Sequence, residues 1–338
     1  FNLTSTGFLD CFLLKLNSAG DFSFAFSLGE ALDNDRGYDL AITSNNDVWL
    51  TGQHWQTVDF DPSGSVSNLT ANGRGIFLAK YSNAGAFITA KLIDGTGSSD
   101  LSRSLVIDGL GNLWLAGQFD ATGFDLDPGV GVFSFNSLGS VVGFVAKYDP
   151  SGNFITAFAL QGSLVETVAG LAVASTGDLY VAGGFEGPTD FDPGVGTTSL
   201  TTVGSLDGFV AKYSSAGTYL WAKQFAGVST QYVFALAADG AGGCIVAGNS
   251  KSIMDLDPGS GTQQVGLANS AFFDAFLANL DGSGNLVVGH SFGSLGNDNV
   301  SSLATFNGNT LFMAGYLQGE VDFDFSPAPN LGPLRSAD

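Results

Sequence analysis

An all-β fold assembled from a repeated four-strand unit is what the sequence predicts, and three observations carry it. The segment Phe144-Val-Ala-Lys-Tyr148 recurs as Phe77-Leu-Ala-Lys-Tyr81 and Phe209-Val-Ala-Lys-Tyr213, with looser copies at Phe12-Leu-Leu-Lys-Leu16 and Phe276-Leu-Ala-Asn-Leu280. Their leading Phe residues lie 65, 67, 65 and 67 positions apart. A second landmark, Asp-x-Asp, stands at Asp59/Asp61, Asp125/Asp127, Asp190/Asp192, Asp255/Asp257 and Asp322/Asp324, at spacings of 66, 65, 65 and 67. The third observation is compositional: 48 Gly and 9 Pro accompany 29 Phe, a mixture suited to short strands and tight turns. No segment sustains a 3.6-residue apolar period, which excludes a helical solenoid.

Each unit reads as four strands, A to D. In the second, Arg103-Ser-Leu-Val-Ile-Asp108 is strand A, and Asn112-Leu-Trp-Leu-Ala-Gly117, after a Gly-containing turn, is strand B. A long connection leads to Gly143-Phe-Val-Ala-Lys-Tyr148 as strand C, and the turn Asp149-Pro-Ser-Gly152 to Asn153-Phe-Ile-Thr-Ala-Phe158 as strand D. Such punctuation is what hairpins require. Four short antiparallel strands repeating at a period above 40 residues are the signature of propeller blades. Five units of about 66 residues fill about 330 of the 338 positions, so residues 1–338 read as a single domain. Asn2-Leu-Thr4 leads into Phe12 as Asn68-Leu-Thr70 leads into Phe77, so the chain opens on strands C and D. It ends on an A–B pair near Val300–Phe306 and Thr310–Leu317. The expected fold is a five-bladed β-propeller of four-stranded antiparallel blades. Its ring is closed by a blade shared between about 1–30 and 299–338, which removes the exposed edges of an open array.

The pattern Gly-Asn/Asp-Leu-Trp/Tyr-Val/Leu-Ala-Gly followed by Phe-Val-Ala-Lys-Tyr-x-x-x-Gly-Asn resembles the SBBP-type β-propeller repeats of secreted bacterial proteins, over nearly the whole chain. The resemblance implies a propeller and carries no catalytic residues across. This chain departs from the family in having five units and a long Asp-x-Asp-Pro-Gly connection in most of them.

Eleven Lys and Arg stand against 32 Asp and Glu, a net charge of −21. That excludes electrostatic binding to nucleic acid or an anionic membrane surface. Charged residues are 13% and hydrophobic residues 44%, enough to bury a core. No apolar stretch reaches the roughly 18 residues of a spanning helix, so membrane insertion is not expected. Cys11 and Cys244 sit in separate apolar runs and read as buried free thiols rather than a disulfide framework. Few Cys, few Lys and high acidity suit a secreted protein or one on the bacterial cell surface. A start at Phe1 with no basic n-region suits a processed form.

In a propeller the A–B and C–D turns lie on one face and the B–C and D–A connections on the other. Here the first set is short, while the B–C connections run about 20–25 residues, so function is expected on the long-loop face. In Asp-x-Asp the two carboxylates of an extended segment point to one side and the middle Leu or Phe inward. The following Pro-Gly suits a type II turn. Paired carboxylates are hard ligands of the kind Ca²⁺ takes, although two alone leave its shell incomplete. The competing reading is structural, with each Asp capping a turn through backbone N–H groups. Lys15, Lys80, Lys147 and Lys212 of strand C are candidate counter-charges.

Trp49, Trp114, Tyr180, Ile245 and Phe312 share one phase of strand B and read as core. Trp55, Phe119 and Phe185, where strand B meets the long-loop face, are candidates for stacking on a sugar. Gly52, Gly117, Gly183, Gly248 and Gly315 share another phase and mark a bulge or a close backbone approach. His54, placed in a loop after strand B, and His290, in strand D, fall in different phases and form no pair. Neither a Gly-x-Ser-x-Gly elbow nor a phosphate-binding Gly loop appears in a strand–helix context. The three sequons, at Asn2, Asn68 and Asn299, are no more than such a sequence yields by chance. The functional expectation is a non-enzymatic interaction or structural module whose partner is a protein or a cell-surface glycan, with self-assembly open to it. A lectin-like propeller with repeated sites is the alternative. A glycoside hydrolase, which needs one acidic pair about 5–10 Å apart, ranks below both.

Overall fold

A computed structural model describes residues 1–31, 33–137, 140–162, 164–266, 271–306, 310–323 and 334–335. Among them every regular element is a β-strand. The chain divides into two compact units, Phe1–Ala159 and Leu160–Asp338.

The first unit opens on an antiparallel pair, Cys11–Leu16 with Phe22–Leu28, the C and D strands of the sequence reading. Two four-stranded sheets follow. One joins Arg36–Ile42, Val48–Asp59, Asn68–Tyr81 and Phe87–Ile93 in that order, and the other Leu101–Ile107, Leu113–Phe119, Val142–Tyr148 and Phe154–Ala159. All neighbours are antiparallel, so each sheet is an A–B–C–D meander. The second unit carries two more, Glu166–Val173, Leu179–Phe185, Asp207–Tyr213 and Tyr219–Phe225, then Gln231–Ala238, Cys244–Ser250, Asp274–Leu280 and Leu286–Phe292. It ends on an A–B pair, Asn299–Phe306 with Thr310–Tyr316.

One register runs through all four complete sheets, setting the strand-B Gly opposite the strand-C Phe: Gly52 to Phe77, Gly117 to Phe144, Gly183 to Phe209 and Gly248 to Phe276. On its other side the same Gly meets a bulge in strand A, at Gly37/Asp39, Ser102/Ser104, Val168/Gly170, Val233/Ala235 and, in the terminal pair, Val300/Ser302. The physical need for Gly is close approach. A Cβ there would lie 1.8–2.1 Å from the carbonyl oxygen of Arg36, Leu101, Thr167, Tyr232 or Asn299. The extra strand-A residue twists that strand at the same point in every unit.

Within each unit, strand A packs on the next strand A: Arg36–Ile42 on Leu101–Ile107, and Glu166–Val173 on Gln231–Ala238, which packs on Asn299–Phe306. Polar links stitch the same neighbours, Leu105 N–H donating to Asp39 Oδ2 at 2.7 Å and Tyr180 Oη–H to the Gly242 carbonyl at 2.6 Å. Trp49, Trp114 and Tyr180 are fully buried, as their shared phase predicts, while Phe312 in the terminal pair is exposed. Cys11 and Cys244 are buried free thiols.

Candidate functional site

Each B–C connection in the complete sheets is a second, smaller hairpin, and Asp-x-Asp begins it. The first Asp pairs across the arm with the residue nine positions on: Asp59 with Asn68, Asp125 with Ser134, Asp190 with Ser199 and Asp255 with Gln264. Its Oδ1 accepts two backbone N–H groups at 2.8–3.1 Å, from the second Asp and from Ser67, Phe133, Thr198 or Gln263. The second Asp accepts the N–H two residues on at 2.8–2.9 Å: Asp61 from Ser63, Asp127 from Gly129, Asp192 from Gly194 and Asp257 from Gly259. Here the backbone supplies what relieves the repulsion between paired carboxylates.

This arrangement is the turn-capping role weighed beside Ca²⁺ ligation for these residues. In Asp59/Asp61, Asp125/Asp127, Asp190/Asp192 and Asp255/Asp257 every Oδ1 is already engaged by backbone N–H groups. Among the described residues no three His, Cys, Asp or Glu side chains are grouped to hold a metal ion, so no third acidic ligand joins any of the four pairs. A pair alone leaves most of the 6–8 oxygens of a Ca²⁺ shell unsupplied. In the fifth copy Asp322 is exposed, and Asp324 lies outside the described residues.

The turn differs from the type II form that Pro-Gly suggests. Gly129, Gly194 and Gly259 lack the left-handed φ that form requires at its third residue. An Asx turn closes the loop instead, and the later Gly131, Gly196 and Gly261 leave room for the second carboxylate. The Oδ2 of Asp127, Asp192 or Asp257 would meet a Cβ there at 2.0–2.4 Å.

The middle residue of the motif is buried, as Phe60, Leu126, Phe191 and Leu256. Its carbonyl meets the other sequence landmark. Tyr81 Oη–H donates to Phe60 O at 2.9 Å, Tyr148 to Leu126 O at 3.0 Å and Tyr213 to Phe191 O at 2.9 Å. The strand-C Lys residues serve elsewhere: Lys80, Lys147 and Lys212 pair with Asp47, Asp108 and Asp178 of the A–B turns at 3.7, 3.1 and 3.1 Å. They also lie over the rings of Trp49, Trp114 and Tyr180.

A further polar position, not singled out as a repeat by the sequence reading, recurs at the start of strand A: Asp35, Asp100, Glu166, Gln231 and Asp298, all buried. The three Asp tie a D–A loop to the end of strand B. Asp35 accepts the Glu30 and Trp55 N–H groups at 3.0 and 3.1 Å, and Asp298 those of Ser294 and Gln318 at 2.7 and 2.8 Å. Asp100 accepts the Asp120 N–H at 3.1 Å. Burial pushes the carboxyls of Asp35 and Asp100 up to about 6 and that of Glu166 up to about 7. The signal was their equal spacing before the strand-A bulge, at 65, 66, 65 and 67 residues.

The three aromatic candidates separate. Phe119 and Phe185 are fully buried and offer no surface to a sugar. Each completes a ring cluster, Phe119 with Phe124 and Phe144, and Phe185 with Phe191 and Phe209. The equivalent residue in the first complete sheet is His54, which lies inside strand B rather than in a loop and packs on Phe60 and Phe77. His54 is buried with neither ring nitrogen partnered, and burial lowers its pKa to about 4. Trp55, one residue on, therefore points the other way and is half-buried, with the Arg74 guanidinium 5.2 Å from its ring centre.

Fold and site define a repeat protein of antiparallel four-stranded sheets, each with an Asp-locked hairpin between its B and C strands. No family model matches the chain. It is 28% identical over 185 residues to the regulatory protein FlaEY of Caulobacter vibrioides, covering 54% of this chain and 19% of that one. It is 36% identical over 87 residues to the uncharacterized WD repeat-containing protein L264 of Acanthamoeba polyphaga mimivirus, covering 25% and 6%. The chain thus spans about a fifth or less of the curated relatives it matches. Among solved structures it is similar to a Bacteroides caccae protein of unknown function, at a TM-score of 0.37 and 9% identity over 84% of this chain and 94% of that one.

Proposed function

We propose that the chain is a five-bladed β-propeller, closed by pairing of its two terminal half-sheets, and that it acts as a non-enzymatic interaction or structural module outside the cell or on its surface. The observation that carries this reading is how its carboxylates are used. The conspicuous Asp residues recur in equivalent places and are spent on backbone N–H groups that stiffen the B–C hairpins. Stiffened loops on a rigid scaffold suit recognition, because little ordering remains to be done on binding. Two of the hairpins end in fully solvent-exposed valines, Val130 and Val195, which offers an apolar contact to a protein partner. A second reading, carbohydrate binding, is favoured by the half-exposed Trp55 alone.

The test is to probe protein and glycan arrays with the labelled chain and with Val130→Asp/Val195→Asp. Protein binding that the double variant loses supports the first reading. Glycan binding that ignores the tips supports the second, and turnover of a glycan contradicts both.

A further inference from the structure

The repeats serve as one another's controls, and the hairpin of the first complete sheet departs from the rest in several ways at one place. Its strands run 12 and 14 residues, where every other B and C strand among the described residues runs 6 or 7. Three residues past the strand-B Gly, the other units carry Asp120, Glu186, Lys251 and Gln318, so the fold asks for no aromatic there, yet this unit has Trp55.

Beside it the ladder slips between Trp55 and Thr57, and both strands turn left-handed, Gln56 at φ 50 and Gly73 at φ 115. A positive φ at a Gln is a strained conformation that surrounding contacts must hold. Here Gln56 Nε2 donates to Asp33 Oδ2 at 3.0 Å. Next to Gly73 and opposite Trp55 stands Arg74. Its Nε is the only Lys or Arg nitrogen among the described residues that is buried without a hydrogen-bond partner, and no carboxylate there forms an ion pair with it.

We propose that Trp55 and Arg74 form a binding site for a sugar ring that carries a carboxylate, such as a uronic or sialic acid, an assignment that rests on the carbohydrate-binding reading. With Nε buried, the Arg74 guanidinium beside the indole has its two terminal Nη–H groups to offer to a bidentate carboxylate. The apolar face of a pyranose suits the part of the indole left exposed. The chain's charge of −21 slows the approach of an anion, but at physiological salt the more distant acids are screened beyond about 8 Å. The fourth complete sheet contains a natural control. Lys251 lies 5.9 Å from the centre of Phe273 at the same two repeat positions, with cation and aromatic exchanged, just outside strands of ordinary length, Cys244–Ser250 and Asp274–Leu280.

The experiment is a glycan array followed by titration with oligomers of galacturonic acid and of galactose, at 150 mM salt. The intact chain should bind the acidic oligomer and not the neutral one. Arg74→Gln and Trp55→Ala should each weaken that binding at least tenfold, Arg74→Lys should keep only part of it, and Lys251→Gln should leave it unchanged. Melting curves check each variant's fold, and Trp55→Phe replaces Trp55→Ala if the latter unfolds. Acidic-oligomer binding that survives Arg74→Gln, or the absence of any acidic glycan signal, overturns the proposal. Equal binding of neutral and acidic oligomers overturns the acidic site while leaving carbohydrate binding standing.

Discussion

Gly183 shows how much a single repeat position can specify. Its backbone passes so near strand A that a Cβ would lie 1.9 Å from the Thr167 carbonyl oxygen. Gly183→Val should therefore cost on the order of 1–3 kcal/mol or more through overpacking, read as a lower denaturant midpoint. An unchanged midpoint would mean that the strands separate freely at that point. The shared phase of five glycines made this contact legible, because extended backbone needs Gly only where something else occupies the side-chain space. Phe119 and Phe185 were misread for a reason of equal simplicity. They stand two residues past their Gly, whereas Trp55 stands three past Gly52. In a strand, an offset of one residue exchanges the buried face for the exposed one. Asp190 holds two N–H groups at 3.1 and 2.8 Å. Asp190→Asn should lower stability by about 1–2 kcal/mol, the worth of weakened charge-assisted bonds. If turn-locking is the whole role, the parent should melt alike in Ca²⁺ and in EDTA. A Ca²⁺-dependent rise that the variant loses would assign the motif to a metal instead.

At the level of elements, the B–C hairpin is where both sequence landmarks converge, since the strand-C Tyr bonds the carbonyl within Asp-x-Asp. Each landmark was legible alone. Their meeting was not, because the two stand 21–22 residues apart and only the folded hairpin brings them together. The partners of the strand-C Lys were hidden likewise, being set by packing against the A–B turn. The buried acids at the starts of strands give these elements a pH signature. Asp35, Asp100, Glu166 and Asp274 have folded pKa values raised to about 6, 6, 7 and 6, so the folded state binds more protons than the unfolded one between about pH 4 and 7. Stability from these groups therefore rises as pH falls through that window. His54, lowered to about 4, acts in the opposite sense between about 6.5 and 4, one group against four. Below about 4 the turn carboxyls Asp108, Asp149 and Asp281, and Asp120 at the end of strand B, held down by hydrogen bonds against whatever burial they have, lose their contribution. Urea midpoints should increase from pH 7 to pH 5, and less steeply in Glu166→Gln. A midpoint that falls over that interval would show that these carboxyls are not the controlling groups.

For the whole molecule, repeat spacing made the four-strand unit, the strand order and the all-β class legible, because a repeat that cannot bury its own faces must stack on a like neighbour. Strand-C residues Phe12, Leu14 and Leu16 and strand-B residues Phe312 and Tyr316 are exposed in their two-stranded sheets, whereas their counterparts in complete sheets are mostly buried. The proposed ring closure covers these edges with each other, in the register of the complete sheets, where Leu50 faces Ala79 two residues from the Gly–Phe pair. That register sets Met313 opposite Leu14. The most direct test of closure is oxidation of the double variant Leu14→Cys/Met313→Cys at low protein concentration, since facing residues of antiparallel strands lie within disulfide reach. The closed propeller gives a monomer with an internal disulfide and a higher melting temperature than its reduced form. Disulfide-linked oligomers, or two thiols that stay free, would contradict it.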